Sequence, residues 1–157
     1  MANDGRTWRA YLSTHPKEKR GVSARNRIGS GPWYNARGEM TAANVDQLHL
    51  NPNISKRTAL DEKGNRVNGR GDKPNWHDIL TGTRPDGTAY FPWVKGEFTC
   101  GDWTSSADGK GSAGLGHHDR HGSDNLSWNA THLSSGCSPK NLVRTGGAGL
   151  IYCFAAD

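Results

Sequence analysis

F-T-C-G-D-W-T-S-S (98–106) opens the last third of the chain, and G-G-A-G-L-I-Y-C-F (146–154) closes it. All three cysteines, Cys100, Cys137 and Cys153, lie in this third. Glycine, serine, aspartate and asparagine are frequent between the two stretches, and these residues are typical of turns and loops. The apolar run 149–154 has the length of a strand, and we expect it to be the central strand of a sheet. The pattern predicts a polar, loop-built surface on a short apolar frame.

The composition favours a folded domain with a small core. The chain has 157 residues, 32% of them hydrophobic and 21 of them glycine, and its mean hydropathy is −0.84. This length suits one domain, which we expect to span residues 1–157. Six tryptophans can build an aromatic-rich core, which argues against disorder despite the low hydropathy. No stretch has the length of a membrane span, and no apolar segment typical of a secretion signal follows Met1.

The charge is basic but dispersed. The formal net charge is +5 and the pI is about 9.3. One local cluster, Lys17, Lys19 and Arg20, stands out, and the other basic residues are scattered. Scattering of this kind argues against nucleic acid as a partner. A solvated basic surface and a surface for acidic polysaccharide remain as alternatives.

The order of the local patterns indicates an α+β domain. Residues 7–13 alternate as a half-buried strand does, and 76–83 also reads as a strand. Residues 41–50 are the best helix candidate, with Thr41 as N-cap. A hairpin is expected at 58–67, followed by an exposed loop at 68–75. We therefore expect short, mostly antiparallel strands, one or two helices and long loops.

Several motifs follow one another in an order that is informative as a set. They are W-R-A-Y-L-S (8–13), A-R-N-R-I-G-S-G-P-W-Y-N-A-R-G (24–38), H-D-I-L-T-G-T (77–83) with D-G (86–87), T-C-G-D-W-T-S (99–105), S-W-N (127–129), G-C-S (136–138) and G-G-A-G-L-I-Y-C-F (146–154). Together they resemble the C-type-lectin-like fold, in the branch that also contains the endostatin domains of collagens. Bacterial lectin-like domains of that branch are the most similar. The set is specific for the fold but not for a ligand.

The resemblance implies a disulfide and an unpaired thiol. In the family, the two middle cysteines form a bridge beneath the long loops, which here implies Cys100 with Cys137. The family partner of Cys153 lies on an N-terminal helix; no cysteine precedes Cys100 here, and because the first strand motif begins at Trp8 we expect that helix to be missing. We therefore expect Cys153 to be a buried free thiol. The resemblance also implies an extracellular or cell-surface protein, and weak single sites make a homo-oligomer plausible.

The sequence argues against the calcium site of many C-type lectins. The counterparts of the family's two calcium-binding triplets are Lys73-Pro74-Asn75 and Trp128-Asn129-Ala130. Lysine and alanine stand where the family has carboxylate ligands. Calcium requires six to eight oxygens, several of them charged. We expect a domain that needs no cofactor.

The histidine-rich segments are the candidates for metal binding and catalysis. G-H-H-D-R-H (116–121) could bind zinc or copper, but its spacing matches no structural zinc site, and solvated histidines with loop-capping Asp119 and Arg120 are the alternative. His77 and Asp78, as neighbours on a strand, are expected to point to opposite faces. The sequence therefore predicts a non-enzymatic protein, with a metal-dependent hydrolase as the remote alternative.

Direct carbohydrate binding fits the loop residues best. A sugar site needs planar rings beside fixed carboxylate, amide and guanidinium groups. Trp33, Trp103 and Trp128 are expected in the core, so other rings must serve the ligand. The partner would be a mono- or oligosaccharide, and an endostatin-like polyanion- or protein-binding domain is the alternative. The predicted ligand-binding residues are Asp72, Asn75, Trp76, Trp93, Asp119, Arg120, Asn125 and Asn129.

Overall fold

The computed structural model describes residues 5–120 and 126–156. The described residues form a small mixed α+β fold in which strands outnumber helices, and this confirms the predicted class. None of these helices has the length and apolarity that a membrane crossing requires. The elements are β1 (Trp8–Ala10), β2 (Trp33–Tyr34), β3 (Met40–Ala42), α1 (Val45–Leu50), β4 (Asp78–Leu80), α2 (Cys100–Trp103, a single left-handed turn), β5 (Gly114–His117), β6 (His132–Leu133), α3 (Pro139–Thr145), β7 (Gly147–Ile151) and β8 (Cys153–Ala155).

The largest sheet has four strands in the order β6-β5-β4-β7. β4 is antiparallel to β5 and parallel to β7. Two further antiparallel pairs, β1 with β8 and β2 with β3, complete the strands of the described chain. β4 and β5 are therefore the central strands.

The prediction of one central strand at 149–154 is wrong. The run is divided at Tyr152 between β7, which is an edge strand, and β8, which pairs with β1. Tyr152 turns into the interior, where its hydroxyl donates to the Trp128 carbonyl at 2.9 Å and its own carbonyl accepts from the Tyr11 amide at 2.9 Å. These two hydrogen bonds fix Tyr152 at the point where the chain passes from the four-stranded sheet to the pair of β1 and β8.

The predicted helix exists but begins later than expected. α1 starts at Val45, and the Asn44 side chain caps it by accepting a 2.9 Å hydrogen bond from the Gln47 amide. Thr41 instead lies in β3, which pairs with β2. Asparagine is among the best N-cap residues. Thr41 cannot cap the helix because it is part of β3.

The main core is aromatic, as the tryptophan content predicts. Tyr11, Trp33, Trp128 and Phe154 are all buried, and the rings of Tyr11 and Trp128 lie 4.8 Å apart. Trp103 is half-buried, and its indole N–H donates to the Ser13 carbonyl at 2.7 Å.

The Cys100–Cys137 disulfide is confirmed, with a Cα–Cα distance of 5.7 Å. It packs with Ala113 in a second, smaller buried cluster, against which Leu80 and Trp103 also pack. The bridge thus ties the segment after β6 to α2.

Cys153 is free, but the expectation that it is buried is wrong because its side chain is exposed. In β8, Phe154 points into the core and is 6% exposed, so its strand neighbour Cys153 faces outward.

We expect a thiol-specific reagent to modify one thiol per native chain without denaturant, because only Cys153 is unpaired. The residue is exposed, but neighbouring atoms partly shield the sulfur from water and thereby raise the pKa of the thiol, so the rate at neutral pH should be below that of a small free thiol and should rise with pH. Absorbance of the released leaving group measures both quantities. A Cys153→Ser control should not react, and a wild-type chain that reacts only after unfolding would contradict the exposed position.

Candidate functional site

Strands β4, β5 and β6 bring three side chains of the types that can ligate metals onto one face of the four-stranded sheet. Asp78 in β4 lies opposite His117 in β5, and His132 in β6 lies opposite Leu115. Leu115 and His117 are two residues apart on β5 and therefore share a face. Directly and diagonally opposed side chains on one face are within reach of each other. The register thus places Asp78, His117 and His132 together.

The polar atoms of these three side chains converge. His117 Nε2 lies 2.9 Å from Asp78 Oδ1, His132 Nε2 lies 3.5 Å from the same oxygen, and the two Nε2 atoms are 2.9 Å apart. Asp78 is almost fully buried, with 1% of its side chain exposed, whereas 39% of the His132 side chain is exposed. The group runs from the interior to solvent.

His77 and Asp119 extend this group. The ring of His77 stacks on that of His117 with centroids 4.1 Å apart. His77 Nε2 lies 3.3 Å from Asp78 Oδ1, and its Nδ1 lies 3.4 Å from Asp119 Oδ2. We call His77, Asp78, His117, Asp119 and His132 the histidine–aspartate cluster.

The prediction that His77 and Asp78 point apart is wrong. The strand alternation begins only at Asp78, so His77 precedes the ladder and is free to turn towards its neighbour.

Glycine makes room for the buried carboxylate. Gly147 of β7 lies opposite Asp78, and a Cβ there would be 3.0 Å from the Cβ of Asp78. A larger residue there would press on the base of the Asp78 side chain.

The Asp78 carboxylate is charged and poorly satisfied by hydrogen bonds. Among the described residues, neither of its oxygens has a hydrogen-bond partner of acceptable geometry. Burial raises the pKa of Asp78, but the neighbouring His117 and His132 outweigh it and hold the pKa at about 2. Asp78 in turn raises the pKa of His132. A buried anion of this kind attracts a cation into the cluster.

The segment predicted as a local metal motif, 116–121, is divided in the structure. His117 faces the cluster, whereas His118 turns away and its Nε2 lies 3.0 Å from the Asn68 carbonyl. Both are buried, so the expectation of solvated histidines is wrong for them. Burial lowers the pKa of His118. His121 lies outside the described residues.

Asp119 and Arg120 do cap backbone, as one of the alternatives proposed. Asp119 Oδ2 accepts from the Arg70 amide at 2.6 Å, and the Arg120 guanidinium donates to the carbonyls of Ile54 and Pro52 at 2.8 Å each. Asp119 is buried and Arg120 is half-buried. Both side chains hold loops together.

Asp72, Asn75 and Trp76 lie in the loop that leads to β4. Asp72 is half-exposed, accepts from the Gly69 amide at 2.8 Å and pairs with Lys56 at 2.8 Å. The Asn75 side chain is half-buried and accepts from the His77 amide, and Trp76 is 38% exposed. Asn75 thus contacts the cluster directly, through the backbone amide of His77.

Asn129 does not lie on an exposed face, and this corrects its predicted position. It is 1% exposed, and its amide donates to the Tyr11 hydroxyl at 2.9 Å and to the Pro85 carbonyl at 3.1 Å. An asparagine can be buried when its donors are satisfied in this way. Asn125 lies outside the described residues.

Trp93 forms a separate, exposed surface. It is 74% exposed and stacks in parallel on Phe91, with centroids 4.6 Å apart and ring planes 10° apart. A turn closed by the Val94 amide and the Phe91 carbonyl at 2.9 Å sets this stack, and proline at its second position favours such a turn.

Charged groups lie around Phe91, the ring of this stack on which Trp93 packs. The guanidinium carbons of Arg20 and Arg84 lie 4.5 Å and 5.4 Å from the centroid of Phe91, and Asp86 lies 3.9 Å from Arg84. We call Arg20, Arg84, Asp86, Phe91 and Trp93 the Trp93 platform.

Sequence reasoning misses His132 as a site residue. The motif S-W-N-A-T-H (127–132) contains it without any metal-ligand spacing to the other histidines. Only the pairing of β5 with β6 brings His132 to Asp78. Local sequence patterns do not show which residues of two strands lie opposite each other.

No protein-family model, no curated protein and no solved structure matches this chain. The site must therefore be interpreted from its own geometry.

Proposed function

We propose that the chain is a non-catalytic, carbohydrate-binding module of C-type-lectin-like fold, and that it binds sugar at the Trp93 platform without calcium. The observation that carries this proposal is the exposed indole of Trp93 stacked on Phe91. A ring has two faces, and the stack covers one of them, so the 74% exposure leaves the other available to solvent. The apolar C–H face of a sugar packs on such a ring.

Polar groups lie around Phe91, the ring on which Trp93 stacks. The guanidinium groups of Arg20 and Arg84 contact the Phe91 ring, and the half-exposed carboxylate of Asp86 lies near Arg84, so a glycan that extends past the edge of the stack can bond them through its hydroxyls. Arg20 and Arg84 are held near Phe91 by cation–π attraction, which reduces the entropy lost when a ligand binds. Of the predicted ligand residues, Trp93 is the one that the platform retains.

We expect Trp93→Ala to weaken glycan binding by about ten-fold or more, since loss of about 1.4 kcal/mol of stacking has that effect. A glycan array followed by titration of the best ligand, with and without a chelator, measures it. Trp76→Ala is the matched control, because it removes a second partly exposed indole outside the platform. Folding should survive both substitutions.

Three outcomes would contradict the proposal. They are no glycan bound in either condition, binding that Trp93→Ala leaves unchanged, and binding that a chelator abolishes and calcium restores. Calcium-dependent binding would mean that the sugar is held at a calcium site like that of many C-type lectins.

A specific observation favours acidic polysaccharide as the second candidate. Arg20 belongs both to the platform and to the basic cluster with Lys17 and Lys19, whose side chains are exposed. A polyanion held there should be released steeply as salt rises, whereas a neutral sugar should respond little. Elution from a heparin column across a salt gradient separates the two ligands.

A further inference from the structure

We propose that Asp78, His117 and His132 form a binding site for one divalent transition metal of the zinc class, with a coordination position open to solvent. This site goes beyond the sugar-binding proposal and does not depend on it. It rests on the convergence of three donor atoms, on a buried carboxylate whose close neighbours are imidazole nitrogens in poor hydrogen-bond geometry, and on the difference in exposure between Asp78 and His132.

The spacing of the donors fits a tetrahedral ion. Zinc lies about 2.0–2.2 Å from imidazole nitrogen and carboxylate oxygen, which places neighbouring donors of a tetrahedral site about 3.3 Å apart. The three measured separations are 2.9 Å, 3.5 Å and 2.9 Å. The two imidazoles and the carboxylate therefore need only small shifts to accept an ion between them.

The chemistry of the buried carboxylate argues for a cation. Asp78 has 1% of its side chain exposed, and neither of its oxygens has a hydrogen-bond partner of acceptable geometry among the described residues. Its close neighbours are imidazole nitrogens of His117 and His132, and a buried carboxylate is stabilised when a positive charge lies beside it. Two imidazole Nε2 atoms and one carboxylate are donors that zinc prefers. Calcium would need six to eight oxygen ligands.

His77 and Asp119 act as positioning residues in this proposal. His77 stacks on His117 and lies between two carboxylates, at 3.3 Å from Asp78 Oδ1 and 3.4 Å from Asp119 Oδ2. Outer-shell contacts of this kind orient ligands and raise metal affinity.

Three protein ligands leave one tetrahedral position for an exchangeable group. His132, the ligand on β6, has 39% of its side chain exposed, so the site reaches solvent on that side. Structural zinc sites are closed by four protein ligands, whereas sites with three keep a water or another small ligand. We infer that the fourth ligand is water or a small anion.

The test is a zinc titration of the full chain after chelator treatment, read by calorimetry or by competition with a chromophoric chelator. It is done on the Cys153→Ser background, because that exposed thiol could bind zinc on its own. We expect one zinc per chain. Zinc at about a hundred times its Kd should raise the Tm by about 5–10 °C.

His132→Ala is the decisive variant, because its exposed side chain can be removed with little risk to the fold. Loss of outer-shell partners already costs about 10- to 100-fold in affinity, so loss of a ligand should cost about 100-fold or more. Asp78→Asn keeps the shape of the carboxylate and should have a similar effect. His15→Gln is the matched control, since His15 lies outside the cluster and bonds the Phe91 carbonyl.

Cobalt provides an independent readout of geometry. Bound Co²⁺ should give the intense visible absorption of a four-coordinate site, and azide should change that spectrum by taking the open position. A spectrum indifferent to azide would overturn the open position. Absence of stoichiometric zinc binding, or affinity unchanged in both His132→Ala and Asp78→Asn, would overturn the site itself. Glycan binding by His132→Ala reports separately on the Trp93 platform.

Discussion

Gly116→Ala should lower the free energy of unfolding by about 4 kcal/mol or more, which places it among the exceptional single substitutions. A Cβ at this position would lie 1.9 Å from the Trp128 carbonyl oxygen and 2.4 Å from the Asn129 Cα. Both obstacles are backbone atoms, so no side-chain rotation can relieve the contact. Close-packed interiors transmit such strain instead of absorbing it.

The segment that Gly116→Ala would displace contains residues of the main core. Trp128 lies in the main core, and Asn129 satisfies the Tyr11 hydroxyl. The His117 amide donates to the Ser127 carbonyl at 3.0 Å, so the shift would also disturb β5 at the histidine–aspartate cluster. Because Gly116 has no Cβ, β5 can pack directly against the backbone of residues 127–129.

Denaturant unfolding followed by tryptophan fluorescence measures the loss. Gly38→Ala is the matched control, because nothing lies within 4 Å of the point where the alanine methyl group would sit and only the φ of 78° opposes alanine. That conformation alone costs about 1–2 kcal/mol. Equal losses in the two variants would show that the contact at Gly116 is relieved cheaply.

Removal of the disulfide is the second large effect. Cys100→Ser with Cys137→Ser should lower the free energy of unfolding by about 3–4 kcal/mol, because the bridge closes a loop of 37 residues and restricts the unfolded chain. A domain of ordinary stability has only about 5–15 kcal/mol in total. The double variant should therefore unfold at a markedly lower denaturant concentration.

Cys153→Ser serves as the control for this experiment, because it removes an exposed thiol that is outside the bridge. Its unfolding midpoint should stay close to that of the wild type. The m-value of the double serine variant should rise slightly, since its unfolded state is less compact. A double variant as stable as the control would mean that strain in the native bridge offsets the entropy it removes.

The disulfide and the helix illustrate how far sequence reasoning reaches. A family resemblance carried by short motifs implies the bridge, and the structure confirms its pairing. The apolar spacing predicts the helix but places its start at Thr41. Asn44 begins it because Thr41 is drawn into β3, and that competition depends on a partner strand.

The site residues show where local patterns fail. Asn129 has the composition of a loop residue, yet it is buried because Tyr11 and Pro85 accept its amide protons from distant parts of the chain. His77 and Asp78 are expected to diverge and do not, because the sequence does not show where a strand begins. Trp93 is exposed, in agreement with the prediction.

Composition and local spacing are enough to predict an α+β chain with a small aromatic core and polar loops, because they govern which residues can be buried and where turns occur. The last third, from residue 98 onward, supplies the disulfide and the four strands β5, β6, β7 and β8. The histidines that lie beside Asp78 cannot be identified without the fold. Strand register is a long-range property, and pairing of β4, β5 and β6 brings residues 78, 117 and 132 onto one face.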